Sequence, residues 1–553
     1  MPSGAVTSEQ IRASDIGTTI LKAGGSAADA IIATTLAVNT LSPYHSDIGG
    51  GGFAIVKEPG DSGQVKCLDF RQCAPEGATP ELFKTSDTST SVGGLAVAVP
   101  GELKGLEELH KEYGVLPWSR LFKESIELAE EGMEVRGDLY DFITREANPA
   151  GSSNMRGTWM MEDPTYVSLI TKDGQAIPIG STWKRPEYAK TLRKIAEEGA
   201  AAFYQGEIAE GLVKAVRARD GVMTVDDLEN YKLKWREPLS TKFKDYTLYA
   251  PPAPASGAIW LSVMGMLSQF EPAGYGSVTD LHRLTEALRL AYGQRTALGD
   301  PAYVDGVEEK QRDWLTEERI KARAGMIDEN ETKAPDYYKP PKVALEFDNG
   351  TSNITATDSS GLTISITTTV GLGWGSRIMV PGYGFVLNGS MDDFSVEGRP
   401  NGFGYEPQVT NYVAGGKRPL SSSCPYIITN STGKVVASGG AAGGSTIISS
   451  NAQVAFFVLV YGFSASRALA ANRLHNQILP NVTKLERGSN VRGVRVEGFS
   501  EEQVKGLKQK GHVIEWVDKS FSTPCVMVWT DDDWEGDGDP RKHDSGGSVY
   551  HEY

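Results

Sequence analysis

Two rhythms of apolar residues run along this chain. Up to about Val343 the helical rhythm dominates. From Ser26 to Leu41 nearly every position is Ala or another apolar residue, which predicts a helix buried all round. Residues 102–112 and 119–132 carry a helical period, the second rich in Glu and Leu, and Val278 to Leu298 predicts a further helix with Leu281, Leu284, Leu288, Leu290 and Ala291 on its apolar face. Thr224 before Asp226 and Asp227 reads as a helix N-terminus, where acidic groups suit the first turn. After Val343 the texture changes to Ser, Thr, Gly and β-branched residues with few charges, and strands are expected.

The sharpest alternation spans Thr351 to Val370 around the polar turn Asp358-Ser-Ser-Gly361. Even positions Ile354, Ala356, Leu362, Ile364, Ile366 and Val370 are mostly apolar; odd positions Thr351, Asn353, Thr355, Thr357, Thr363, Ser365, Thr367 and Thr369 are all polar. Strand side chains alternate faces, so the odd set shares one side. For both apolar rows to share a face, cross-strand partners must have equal parity. A three-residue loop at 359–361 provides that and sets Thr369 opposite Thr351, with Cβ atoms about 4.5–5.5 Å apart. A Ser/Thr row is ordinarily the solvated face of an antiparallel sheet, and that reading stays open beside a functional one.

The functional reading starts at Gly350-Thr351, inside Asn349-Gly-Thr-Ser-Asn353. A threonine hydroxyl is a poor nucleophile without a base beside it. Cutting the backbone before Thr351 would free an α-amino group whose pKa, about 7.7–8.0, suits it to be that base. One scission would supply both.

Other chemistries find little anchor. The run Gly49-Gly-Gly-Gly52 follows a helix and precedes Phe53-Ala-Ile-Val56, whereas a phosphate-cradling loop needs strand, loop, helix and a Gly-Lys-Ser/Thr ending. The formal charge of -16, with no long basic stripe, argues against nucleic acid. Cys67, Cys73, Cys424 and Cys525 have no zinc-ligand spacing and read as reduced thiols. His45, His110, His282, His475, His512, His543 and His551 are scattered without HExxH, and no GxSxG elbow occurs, so no metal or cofactor is expected. No stretch is expected to reach a membrane span, and the start Met-Pro-Ser-Gly-Ala-Val lacks a basic and an apolar region, so a cytoplasmic location is the expectation. The length of 553 residues favours three or four domains unless one large layered α/β unit absorbs the chain. The stretch 334–342 and its charged approach Asp328–Thr332 are expected to be mobile.

A set of ordered segments then narrows the choice. They are Gly24-Gly-Ser-Ala-Ala-Asp-Ala30, Ile48-Gly-Gly-Gly-Gly-Phe53, Leu68-Asp-Phe-Arg71, Val99-Pro-Gly-Glu102, Leu116-Pro-Trp118, Glu286-Ala-Leu-Arg-Leu-Ala-Tyr292 with Gly299-Asp-Pro301, Met391-Asp-Asp-Phe394, Lys417-Arg-Pro-Leu-Ser-Ser422 and Gly443-Gly-Ser445. With them the chain resembles the γ-glutamyltranspeptidase (glutathione hydrolase) family of N-terminal nucleophile hydrolases over nearly its full length. The resemblance implies an α/β fold, the four-layer αββα sandwich of two stacked sheets flanked by helices. It implies self-cleavage between Gly350 and Thr351 into a part of residues 1–350 and a part of residues 351–553, which remain together as a heterodimer. Thr351 would be the nucleophile, Thr369 its hydrogen-bonding supporter, and Gly443 and Gly444 the oxyanion hole. Arg71, with Ser421 and Ser422, would hold the donor's α-carboxylate; Asp393 would accept from its α-ammonium, with Ser390 beside it; residues 398–409, including Gly402-Phe-Gly-Tyr405, would be a lid.

Three positions depart from the family pattern: Gly371 where Asn is usual, Ser390 where Gln, Glu or Asn is common, and Asn353 in place of a frequent His. They imply a shifted donor preference. The activity implied is transfer of a γ-glutamyl group from a small-molecule donor to water, an amino acid or a peptide. An amidase or acylase with a different donor, and a binding scaffold that never matures, are the alternatives.

Overall fold

The computed structural model describes residues 3–84, 90–147, 158–172, 175–339, 350–398, 407–491, 493–518, 522–530 and 533–551. Two antiparallel sheets form its centre. One has seven strands in the order Gly546–His551, Ser3–Ser8, Gly350–Thr357, Thr363–Gly371, Gly51–Lys57, Val65–Phe70 and Lys234–Arg236. The other has six: Asp533–Gly538, Thr523–Thr530, Val435–Ala442, Tyr426–Thr429, Tyr246–Ala250 and Leu239–Phe243. Both sheets combine strands from before and after Gly350, interleaved in the seven-stranded one, so the chain on the two sides of that residue shares one pair of sheets. The length-based expectation of three or four domains gives way to one layered unit.

The Thr-rich hairpin has the register read from its sequence. Thr351 pairs with Thr369, Asn353 with Thr367, and Thr357 with Thr363. The loop closes through Asp358, whose amide donates to Leu362 O at 3.1 Å, and Gly361 takes φ +87°, a conformation that favours glycine. Ile354, Ala356, Ile364 and Ile366 are fully buried against helices including Ala27–Leu41. Each of the three isoleucines contributes about 1.5–3 kcal/mol by leaving water. Ser26 caps that helix in a reciprocal pair with Asp29, and Thr224 does the same with Asp227 for Val225–Glu229.

The odd row is not solvated. Every one of its eight residues is at most 3% exposed, because it faces the second sheet. Ser365 Oγ donates across the gap to Gly439 O at 2.9 Å, and Asn353 lies so close to Gly440 that a Cβ there would sit 2.2 Å from Asn353 Nδ2. Glycines in Val435–Ala442 therefore let the sheets approach, and hydroxyls fill the narrow polar interlayer. The even row is also less uniform than its apolar pattern: Ser352 and Thr368 oppose one another on the helix-facing side, bonded to the buried carboxylates of Glu9 and Glu102.

Helices Gly257–Leu267 and Ile447–Tyr461 cover the outer face of the six-stranded sheet, and Val278–Arg295 packs on the first of them. The division at Val343 is thus coarser than expected, with strands before it and long helices after it. Residues 119–132 split into a tight turn, Trp118–Phe122, and a helix, Lys123–Glu131. One segment, Gly444–Tyr461, is long and apolar enough to span a membrane, contrary to the sequence expectation; 72% of it is buried within the protein, so it serves as a core helix here. The approach Asp328–Thr332, expected to be mobile, is tied down: Thr332 N donates to Lys510 O at 2.7 Å and its hydroxyl to Glu286 at 2.6 Å. Residues 340–349 lie outside the described part.

Candidate active site

The pairing of strands Gly350–Thr357 and Thr363–Gly371 brings three hydroxyl and carbonyl groups into one chain. Thr351 Oγ1 donates to Thr369 Oγ1 at 3.3 Å, and Thr369 Oγ1 donates in turn to the carbonyl oxygen of Gly350. Gly371 N–H donates to the same Thr369 oxygen at 2.7 Å. A hydroxyl has one proton and two lone pairs, so Thr369 is saturated and its orientation fixed. The ladder slips between Gly350 and Thr351, and a Cβ at position 350 would meet Gly371 O at 2.1 Å. Only glycine fits before Thr351.

Gln72 links this pair to Arg71. Its Nε2 donates to Thr369 O at 2.6 Å while its Oε1 accepts from Arg71 Nη1 at 3.0 Å. The Arg71 guanidinium is fully buried, forms an ion pair with Asp393, and reaches Leu420 O at 3.5 Å. Its Nε has no partner among the described residues. Asn411 ties the same two segments, donating to Asp393 O at 2.6 Å and accepting from Leu420 N at 3.1 Å. Ser421 is held by its backbone N–H on Pro254 O and by its hydroxyl on Ser423; Ser422 Oγ accepts from Arg295 Nη2 at 3.2 Å. Ser390 opens the short turn Ser390–Asp393, fully buried, with an Oγ that has no partner among the described residues. Arg71, Asp393, Ser421, Ser422 and Ser390 thus gather on one side of the threonine pair.

Gly443 and Gly444 come from the other sheet. Ser365, which pairs with Thr355, meets Gly439, and Asn353 meets Gly440, so Val435–Ala442 advances toward Thr351 as it runs to Gly443. There the backbone takes φ +123° and +57° at the two glycines before entering the helix Ile447–Tyr461, a path that a side chain would strain. Thr446 Oγ1 donates to Gly443 O at 2.6 Å, and the buried Tyr292 hydroxyl donates to Ser445 O, fixing the turn.

The residues that sequence pattern missed lie around these. Gln72 is adjacent to Arg71 but carries no motif of its own. Arg295 is buried at the end of Val278–Arg295; burial pulls its guanidinium below the ordinary value, opposed by Tyr292 and Asp393. Glu102 lies beneath the hairpin, where burial pushes its carboxyl up to about 7 against the hydrogen bonds from Thr368 and Asn39. His45, one of the scattered histidines, is buried between Glu9 and Lys542, and its backbone carbonyl accepts from Val370 N at 3.1 Å. Of the expected lid, 398–409, residues 399–406 lie outside the described residues.

Two sheets stacked between helices, with a threonine at the start of a central strand, define an N-terminal nucleophile hydrolase fold. The cephalosporin acylase of Bacillus halodurans superposes with a TM-score of 0.82 at 25% identity, covering 99% of this chain and 95% of the acylase. The γ-glutamyltranspeptidase of Pseudomonas nitroreducens complexed with L-DON matches with a TM-score of 0.53 at 30% identity, over 60% of this chain and 96% of that one. In sequence, the glutathione hydrolase proenzyme of Arthroderma benhamiae is 36% identical over 560 residues, covering 99% of this chain and 92% of the relative. The family model for gamma-glutamyltranspeptidase matches residues 13–549, and the chain belongs to that family.

Proposed function

We propose that this chain cleaves itself between Gly350 and Thr351 and then acts as a γ-glutamyl hydrolase and transferase on glutathione, glutathione conjugates or related γ-glutamyl amides. The observation that carries the reading is the bonded series Thr351 Oγ1, Thr369 Oγ1, Gly350 O within a chain of this family. In the uncut protein, Thr351 Oγ adds to the Gly350 carbonyl carbon, and the Thr369 hydroxyl stabilises negative charge gathering on the carbonyl oxygen. The C–N bond breaks, nitrogen takes the hydroxyl proton, and an ester joins Gly350 to Thr351 Oγ. Water hydrolyses it, leaving residues 1–350 with a carboxylate end and residues 351–553 with a free threonine amine.

That amine is the base for turnover. It takes the Thr351 Oγ proton as the oxygen attacks the donor's γ-carbonyl, and the backbone N–H groups of Gly443 and Gly444 receive the oxyanion. The proton passes to the departing amine, leaving a γ-glutamyl ester that water or an acceptor amine resolves. An amino-acid head bears its ammonium and carboxylate on one carbon, so the paired Asp393 and Arg71 offer matching opposite charges side by side, with Ser421 and Ser422 adding hydroxyls and Ser390 close by. Because both sheets contain strands of both parts, hydrogen-bonded to one another, the parts stay together after scission.

N-terminal sequencing and a donor assay test this together. Matured protein should show a chain starting Thr-Ser-Asn-Ile and release product from a γ-glutamyl anilide; Thr351→Ala should run as one band near 59.6 kDa and lose at least about a thousandfold in kcat. A single uncut chain that hydrolyses the anilide, or a cut one indifferent to removal of the donor's α-ammonium, would overturn it.

A further inference from the structure

Away from the threonine pair, three ligand-type side chains converge where the segment before Gly350 meets the end of the chain. His282 and Glu286 stand one turn apart on the helix Val278–Arg295, and His512 follows the helix Glu501–Gln509. All three are at most 3% exposed, and one ligand atom from each lies within 4.8 Å of the others. His282 Nδ1 and His512 Nε2 are 2.8 Å apart. Two nitrogens on a four-coordinate zinc-type ion, each about 2.0–2.1 Å from it, sit about half an ångström further apart, a shift that small side-chain rotations supply.

The outer contacts fit the same arrangement. His282 Nε2 faces Asp328 O at 2.8 Å, which fixes its proton there and leaves Nδ1 as a bare lone pair. His512 Nδ1 faces Thr483 Oγ1 at 3.4 Å, so a change of tautomer frees Nε2 to ligate while Nδ1 donates to the hydroxyl. Glu286 accepts from the hydroxyls of Thr332 and Tyr338, one on each oxygen, which leaves a lone pair on both. Nearby Arg289 bonds to Thr332 Oγ1 and Lys333 O and acts on that carboxylate through space rather than by direct contact. A cation bound directly to this buried carboxylate would add to the attraction that Arg289 exerts at a distance.

We propose that His282, Glu286 and His512 bind a divalent transition-metal ion of the zinc class, with a water completing the shell. The ion ties residues 328–338, through Glu286 and the Asp328 carbonyl, to the loop carrying His512. It would therefore clamp the two sides of Gly350 together at a second place. Binding does not depend on the chemistry at Thr351.

Chelator-stripped full-length protein titrated with cobalt(II) chloride tests the site. The expected result is one equivalent of cobalt with the intense visible d–d absorption of a four- or five-coordinate ion, displaced by zinc, and a higher Tm with either metal. His512→Gln and Glu286→Gln should each weaken binding at least tenfold, while His551→Gln should leave it unchanged. Cobalt that keeps the weak spectrum of its hexaaqua ion in the wild-type protein overturns the proposal even if a variant fails to fold. Equal binding by His512→Gln and wild type overturns it as well.

Discussion

The Thr369 hydroxyl donates to the carbonyl oxygen of Gly350 across the hairpin, while the Gly371 N–H and the Thr351 hydroxyl occupy its two lone pairs. That places one fixed donor on the carbonyl at which scission is proposed, and the same hydroxyl beside the proposed nucleophile. Thr369→Val keeps the β-branched shape and removes the donor. Maturation followed by gel densitometry should slow about a hundredfold or more, and kcat of any matured fraction should fall similarly, the scale seen when one oxyanion donor is lost. Thr369→Ser should retain most of both. Equal maturation rates for the valine variant and the parent would separate Thr369 from the scission step.

Glu102 makes stability depend on pH. Its carboxyl sits at about 7 in the folded protein against an ordinary 4.5, chiefly through burial. A raised carboxyl binds its proton more tightly when folded, so the contribution is full below about 4.5 and disappears as pH rises through about 7. The loss amounts to about 3 kcal/mol. Glu102→Gln keeps a partner for the Thr368 hydroxyl without an ionisable group. Thermal unfolding at pH 5 and pH 8 should therefore show a smaller drop in Tm for the variant than for the parent; an identical drop would assign the dependence to other groups.

Much of this was legible in the chain itself, for specific reasons. The period-two run from Thr351 to Val370 has only one register that puts both apolar rows on a face, so Thr369 opposite Thr351 follows from parity. Parity cannot say what the polar face meets. Here it meets Gly439 and Gly440 of another sheet, about seventy residues further on, so a row that looked solvated is buried. Ser352 and Thr368 break the apolar row for a similarly remote reason: Glu9 and Glu102 wait beneath them. Arg71, Asp393, Ser421 and Ser422 came from matched motifs, whereas Gln72, Asn411 and Arg295, which join those motifs in space, have no local pattern to betray them.

Arg295 should matter to donor binding rather than to chemistry. It donates to the Ser422 hydroxyl and sits within electrostatic reach of Asp393. Arg295→Met keeps much of the apolar stem and removes the charge and the donor. The KM for a γ-glutamyl donor should rise about tenfold or more, the scale of a hydrogen bond to a charged group, with kcat within a few-fold of the parent. Circular dichroism would confirm that the variant folds, and an unchanged KM would remove Arg295 from the donor site.

Gly371 offers the most direct access to donor preference. The family resemblance leads one to expect Asn there, and the structure shows what admitting it involves. The residue has φ +84°, a region that Asn tolerates better than other side chains, but a Cβ would lie 3.1 Å from Gly389 C and 3.3 Å from Ser390 N. The turn that carries Ser390 must therefore give by a few tenths of an ångström, and the strain should lower stability by about 1 kcal/mol. In return the amide could bond to the donor's amino-acid head, worth about 1.5–3 kcal/mol when the partner is charged. The second effect exceeds the first, and they act on different quantities. Gly371→Asn should lower Tm by about 1 °C while reducing KM for glutathione about tenfold or more. An unchanged or raised KM would mean that displacing the Ser390 turn harms the site more than the amide helps it, and that the glycine is matched to a donor with a differently placed head group.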